Sequence, residues 1–306
     1  MSGSGGNAFL DFLRVLAPAN VPRWALVLLA AFTSTAVVIA LVRFNEFVCL
    51  RLQHKFSSPI QSRSPALLAL AGSFAALAAY PFAPHVFVAD IEIGLFLILA
   101  LMAVTTLGNP KRAAALVPLG LALVVPVLIG GTSNWIEASR LQSDWFGLGW
   151  FVFKNPFGLP ALVLFCLAAL ELCQDGEHIS LFLMSTLGVV FFFGGFESPL
   201  TWGLRQSLGL DPGFLNHVTL SDGSVQTHIA IGGLVFQTVC VATLIGKTML
   251  GILLMMWLRS LPARGHLQHL LTAGSSTRAS LALLCVFGAG LWECVRAALW
   301  SGVQNA

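Results

Sequence analysis

Charged side chains are scarce: Asp, Glu, Lys and Arg make up only 9% of the 306 residues, against 57% hydrophobic residues. With a mean hydropathy of +0.86, that composition excludes an ordinary soluble domain and reads as a polytopic membrane protein. Cysteine is sparse and scattered, at Cys49, Cys166, Cys173, Cys240, Cys285 and Cys294, with no C-x-x-C pair and no ligand-spaced grouping with histidine. A zinc or iron–sulfur site is therefore not expected, and the cysteines read as helix-packing residues. His266 and His269 have helical spacing but no third ligand beside them. Phosphate-loop, dinucleotide, nucleophile-elbow and zinc-protease motifs are all missing, and no acidic residue lies in a nucleophile-and-base arrangement, so neither a cofactor nor a self-contained catalytic site is expected. There is no nucleic-acid signature, and the first residues lack the basic, apolar and cleavage-site pattern of a signal peptide.

What the chain does have is long apolar runs. A hydrocarbon core takes ~20 residues per helical crossing, and eight candidate spans lie at 24–43, 66–82, 92–108, 112–131, 157–173, 178–196, 229–258 and 279–300. Lipid offers the backbone no hydrogen bonds, and runs this long do not alternate as barrel strands do. The expected fold class is all-α, with about eight transmembrane helices in one domain over 24–300, an interfacial segment over 1–23 and a short tail over 301–306. Pro118 and Pro126 are expected to kink the fourth helix.

Basic residues set the orientation. Arg43, Arg51, Lys55 and Arg63 follow span one, Lys111 and Arg112 follow span three, and Arg259, Arg264 and Arg278 follow span seven; these loops are expected inside. Both termini then face outward, beside a belt containing Trp24, Trp135, Trp145, Trp150, Trp202 and Trp300. The stretch 132–155 is compatible with a helix lying on the outer surface or with an ordered loop tied to that belt. The outer loop 197–228 carries turn chemistry in GLDPGFLNHVTLSDGSVQ.

The informative charges are those in or at the ends of apolar helices: Asp90 and Glu92 opening span three, Glu171 closing span five, Asp175 and Glu177 just after it, Lys247 inside span seven and Glu293 in span eight. A lysine near a helix centre costs ~3 kcal/mol on insertion scales. Span seven runs about ten residues beyond Lys247, too far for easy snorkelling, so Lys247 is expected to pair with a carboxylate or to line a wet path. Glu171, about four turns into its helix, has the setting of a proton relay.

Several segments match one family pattern in order. PFAPHVFVADIEIGLFLILAL at 81–101 is similar to P-F-G-P…A-D-L-N-x-G, with Asp90 and Gly94 in register and Glu92 in place of Asn. PFGLPALVLFCLAALEL at 156–172 is similar to P-x-G…A-x-L-A-E, with Glu171 on its carboxylate, and FFFGGFESPL at 191–200 to F-x-G-G-W-x-x-P. Lys247 precedes Trp257 by ten residues, as the family's lysine precedes its W-V-R, and WLRSLPARGHLQHLL follows the W-V-R-A-x-x-P-R-x-R-Y-D-Q-L-M pattern. The chain thus resembles the eight-helix subunit of respiratory complex I that joins the peripheral arm to the membrane arm, called H in bacteria and subunit 1 in mitochondria.

The departures concentrate where that family houses its quinone. RFNEFVCLRLQHKFSSPI keeps only Glu46, Gln53 and Lys55 of the family's first inner loop, the amphipathic segment after it is missing, and the later inner loops shrink to GNPKRAAALVP and CQDGEHIS. Quinone binding and ordinary quinone reduction are left unsupported. The resemblance therefore implies a membrane-arm subunit of a complex I-like assembly in an energy-conserving membrane, bacterial plasma membrane or mitochondrial inner membrane. Its partners would be lipid, other membrane-arm subunits and a peripheral module on the inner face, with Arg259 and Arg264 as the inner basic edge. Glu171, Asp175, Glu177, Asp90 and Lys247 would relay protons or sodium. A structural heel that serves assembly after losing transport is the alternative, and an independent transporter is disfavoured because the halves show no repeat.

Overall fold

The computed structural model describes residues 110–173, 178–208, 215–219, 225–229, 231–260 and 274–304, together with helical Ala36 and Ala40. The expected spans at 66–82 and 92–108, nearly all of 24–43, and the segment 1–23 lie outside the described residues.

Nine helical elements and one hairpin make up the described chain: α1 Pro110–Gly130, α2 Trp135–Arg140, α3 Asp144–Gly147, α4 Phe151–Lys154, α5 Gly158–Leu172, α6 His178–Phe193, α7 Pro199–Leu208, β1 Leu215–Thr219, β2 Val225–Ile229, α8 Ile231–Ser260 and α9 Ser275–Gln304. The long helices pack side by side in the order α9, α1, α5, α6, α8. α5 and α6 are the most enclosed, contributing Phe165, Phe182, Phe191 and Phe192 to the core, each fully buried. The outer faces of α1, α8 and α9 instead expose Val117, Leu128, Leu250, Leu254, Leu283, Phe287, Leu291 and Leu299. Exposed apolar residues on that scale suit hydrocarbon and not water.

Among the described residues, three helices are long and apolar enough to cross a membrane, over Ala113–Gly130, Ile231–Leu258 and Ser275–Leu299. The other two expected spans within the described residues, α5 and α6, are apolar but only 15 and 16 residues long. At 1.5 Å per residue α6 covers about 24 Å, short of a core ~30 Å thick. The reason is local: α6 stops at Gly194 and Gly195, whose φ values of +71° and +52° end a right-handed helix and favour residues without a Cβ. The chain restarts as α7, where Ser198 and Thr201 cap each other reciprocally: Ser198 N–H donates to Thr201 Oγ1 at 2.7 Å and Thr201 N–H to Ser198 Oγ at 3.2 Å, with Pro199 in the first helical position.

Helix α1 runs on through Pro118 and Pro126. The stretch 132–155 does not form one surface helix. It breaks into α2, α3 and α4, which press Trp135, Ile136, Phe151 and Val152 into the core, while Trp145 and Phe146 stay on the surface. Asn134 starts α2 by accepting from the backbone N–H groups of Ile136 and Glu137 at 3.0 and 3.2 Å. The expected loop 197–228 contains α7 and the antiparallel pairing of β1 with β2, Leu215 opposite Ile229 and Thr219 opposite Val225. The all-α expectation thus holds for the bundle but not for these two strands, the second of which carries β-branched Val225, Thr227 and Ile229 at alternate positions. At the other end of the chain α9 continues to Gln304, through most of the expected tail.

Backbone meets backbone closely at Gly158, where a Cβ would lie 2.8 Å from the backbone oxygens of both Phe151 and Val152. Gly158→Ala is expected to destabilise the protein by about 1–3 kcal/mol, whereas Gly290→Ala, which meets nothing within 4 Å, should be neutral or slightly stabilising. Thermal unfolding of the two variants in detergent, side by side, checks the contrast.

Candidate functional site

Lys247 lies 16 residues after Ile231 and 13 before Ser260 in α8, about 24 Å along the helix. Its ammonium reaches across to the broken helix. It donates to the backbone oxygen of Phe193, the last residue of α6, at 2.6 Å, and to the backbone oxygen of Glu197. It also sits 5.1 Å from the ring centroid of Trp150, a cation–π distance. The last carbonyls of a helix have no intrahelical donor and carry the negative end of its dipole, so a cation at that point is favoured. The sequence pairs the exposed need of one helix with the buried charge of another.

Glu197 itself is fully buried and forms an ion pair with Arg205 of α7, which is 8% exposed; the Glu197 carboxylate also attracts Lys247 electrostatically. The Arg205 guanidinium lies 5.9 Å from the Phe236 ring of α8. Around this node the breaks are tied together by Gln142, which donates from Nε2 to the backbone oxygens of Ala138 and Val190 at 3.0 and 2.9 Å and accepts from the Phe151 N–H at 2.9 Å. On the other side of Lys247, Ser185 Oγ donates to the Thr248 backbone oxygen at 2.7 Å, locking α6 to α8.

A second charged pair sits at the opposite end of the bundle. Glu171, in the last turn of α5, accepts from Arg278 in the first turn of α9 at 2.6 Å. Glu171 and Arg278 are 21% and 8% exposed, so both are largely withdrawn from solvent. Because α6 rises from the Glu171 end toward Phe193 over its 16 residues, this pair and the Lys247 node are separated by most of a helix length. A third pair, Glu293 with Arg296 at 2.5 Å, is joined to buried Asn155 at 3.1 Å.

No protein-family model matches the chain. It is similar to the NADH-quinone oxidoreductase H subunit of Anaeromyxobacter dehalogenans, 27% identical over 187 residues and covering 45% of each chain. It is likewise similar to the proteins of that name from Anoxybacillus flavithermus, 30% identical over 190 residues with 48% of this chain and 55% of the relative covered, and from Chlorobaculum parvum, 25% identical over 236 residues with 60% and 63% covered. This chain is a divergent relative of the H-subunit family. It spans about half the length of the curated relatives it matches.

As an H-subunit relative with three membrane-length helices among the described residues, it is a multi-pass protein of an energy-conserving membrane. Among the site residues expected from sequence, Asp90, Asp175, Glu177 and Arg264 lie outside the described residues. Arg259 falls in the last turn of α8. Glu171 and Lys247 are both described, and they are not brought together: each has its own partner, Arg278 for the first and the helix-end carbonyls for the second.

Sequence reasoning placed Glu197 and Arg205 in an outer loop and missed them as a pair. The available signal was the eight-residue spacing just after the glycine-glycine break, which sets a carboxylate and a guanidinium on one side of a short helix. Since removing one member of a buried ion pair leaves an uncompensated charge, Arg205→Ala is expected to cost about 3–5 kcal/mol of stability. Replacing both, Glu197→Leu with Arg205→Met, should recover most of that loss. Thermal denaturation of the single and double variants measures it.

Proposed function

We propose that this H-subunit relative is a membrane-arm component of a complex I-like assembly, carrying eight membrane helices with both termini on the outer side and linking a peripheral module on the inner face to subunits that move protons or sodium. The kept charges support the reading: Glu171 with Arg278 at one end and Lys247 at a mid-helix break retain ionised groups that an inert anchor would not need, at positions that lipid makes costly. The shortened loops after spans one, three and five support a subunit without a normal quinone-reduction site. Asp90, Asp175 and Glu177 extend the relay toward the two faces, and Arg259 and Arg264 form the inner basic edge against which the peripheral module docks.

A second reading has its own support. Lys247 and Glu171 are each locally satisfied, which fits a structural heel whose charges hold helices in place and whose transport has been lost.

Affinity purification from native membranes separates the first reading from a protein that works alone: other membrane-arm subunits and a soluble redox module are expected to co-purify, and recovery of the chain by itself would refute it. Within the assembled complex, Glu171→Gln and Lys247→Met are then expected to abolish ion uptake into vesicles while leaving subunit composition unchanged. Uptake that survives both substitutions selects the structural heel.

A further inference from the structure

Between α3 and α7 lies an open cleft of about 680 Å³, lined by Ser143, Asp144, Trp145, Phe146, Trp202, Arg205 and Gln206. It lies toward the N-terminal end of α5, the end opposite Glu171. Its rim is unusual. Trp145 and Phe146 adopt φ values of +52° and +58°, a left-handed conformation that bulky residues rarely take, and they project at 85% and 66% exposure. Phe146 is held edge-on to Trp202 at 4.8 Å, and Asp144 is held by Lys154 at 2.9 Å. The cleft wall is thus set by aromatic rings and a positioned carboxylate, and Arg205 lies at its inner side.

Arg205 leads inward to Glu197, and Glu197 to Lys247. Beside this line, α8 presents a buried stripe of Gln237, Cys240, Leu244, Thr248 and Ile252, and Thr248 shows that the stripe faces α6. Gln237 stands on it one residue after Phe236, which carries Arg205. It is 3% exposed, and neither its amide nitrogen nor its amide oxygen has a hydrogen-bond partner among the described residues. A buried amide with both ends unmet offers the donor and the acceptor that a bridging water needs.

We propose that the α3–α7 cleft opens a proton path that passes Gln237 to Lys247 and is gated by the Glu197–Arg205 ion pair. The proposal rests on the ion-coupling reading above and names its ion and its route. Two fixed cations, Arg205 and Lys247, flank Glu197, so a sodium ion arriving there meets repulsion and finds its carboxylate already engaged. A proton needs no such coordination. In the outward step an N–H bond of the Lys247 ammonium breaks and an O–H bond forms on Glu197, directly or through one water. The neutral carboxyl then no longer holds Arg205, the pair opens, and the proton leaves past Gln237 to water in the cleft; the ionised carboxylate closes on Arg205 again, and Lys247, left as a neutral amine, takes its next proton from the inner side. Net charge and protons balance at each stage.

Two measurements on the assembled complex test it. Gln206→Cys and Gln237→Cys are treated with a small aminoethyl thiosulfonate and the modified peptides identified by mass spectrometry. Modification of both is expected; modification at 206 with none at 237 overturns the path. This readout needs no ion transport, so it stands even if Glu171→Gln and Lys247→Met leave transport intact and the ion-coupling reading fails. Second, Glu197→Gln is expected to lose proton uptake while Glu197→Asp retains it, in complexes of unchanged subunit composition. Full uptake with Glu197→Gln, or uptake driven by sodium in the parent complex, overturns the gate.

Discussion

A helix that ends inside a membrane leaves carbonyl oxygens that lipid cannot hydrogen-bond, and the rest of this structure is arranged around meeting that need. α6 stops at Gly194 and Gly195 well short of a full crossing, and the backbone oxygens of Phe193 and Glu197 are met by Lys247 from α8. The match works in both directions: the lysine is tolerable only because those oxygens and the Trp150 face surround it, and the break is tolerable only because a cation reaches it. Irregular backbone at such depth is characteristically found where it is enclosed by protein or lines a wet cavity. Here α2 and α4 supply the enclosure, with Gln142 bridging three separate elements.

The same break creates the Glu197–Arg205 pair. Restarting as α7 turns the chain so that Arg205 folds back onto Glu197, and the aromatic ring of Phe236 completes the surroundings of the guanidinium. Once the helix is interrupted, the carboxylate and both cations become one node and cannot be altered independently. The Glu171–Arg278 pair differs in kind. It joins two helix ends, a carboxylate in the last turn of α5 and a guanidinium in the first turn of α9, against the preference of both helix dipoles. Their mutual attraction, in largely water-excluded surroundings, is what keeps them there.

The helical membrane character was legible in the sequence. Long apolar runs identify helices because lipid leaves the backbone few alternatives, and the runs at 112–131, 229–258 and 279–300 emerge as membrane-length helices. Lys247 was visible for the same reason: a charge in a 28-residue apolar helix has to be compensated. The hairpin and the three short helices of 132–155 were not legible, since short polar elements take their conformation from what they pack against. Trp135 looks like an interfacial aromatic in the sequence, yet it is buried, because α2 and α4 fill the space left beside the truncated α6.

The sequence alone determined that this is a helical membrane protein, which residues are costly in lipid, and which family pattern they follow. Hydrophobicity and charge are properties of single residues, and a solvent that rejects polar groups reads them directly. Only the tertiary structure decided partners: that Lys247 meets the backbone carbonyls of Phe193 and Glu197, that Glu171 belongs to Arg278, and that Glu197 and Arg205 form one buried pair. Partner choice depends on where a helix stops and how far its neighbours lean toward the gap, and those distances are set by packing between segments far apart in the chain.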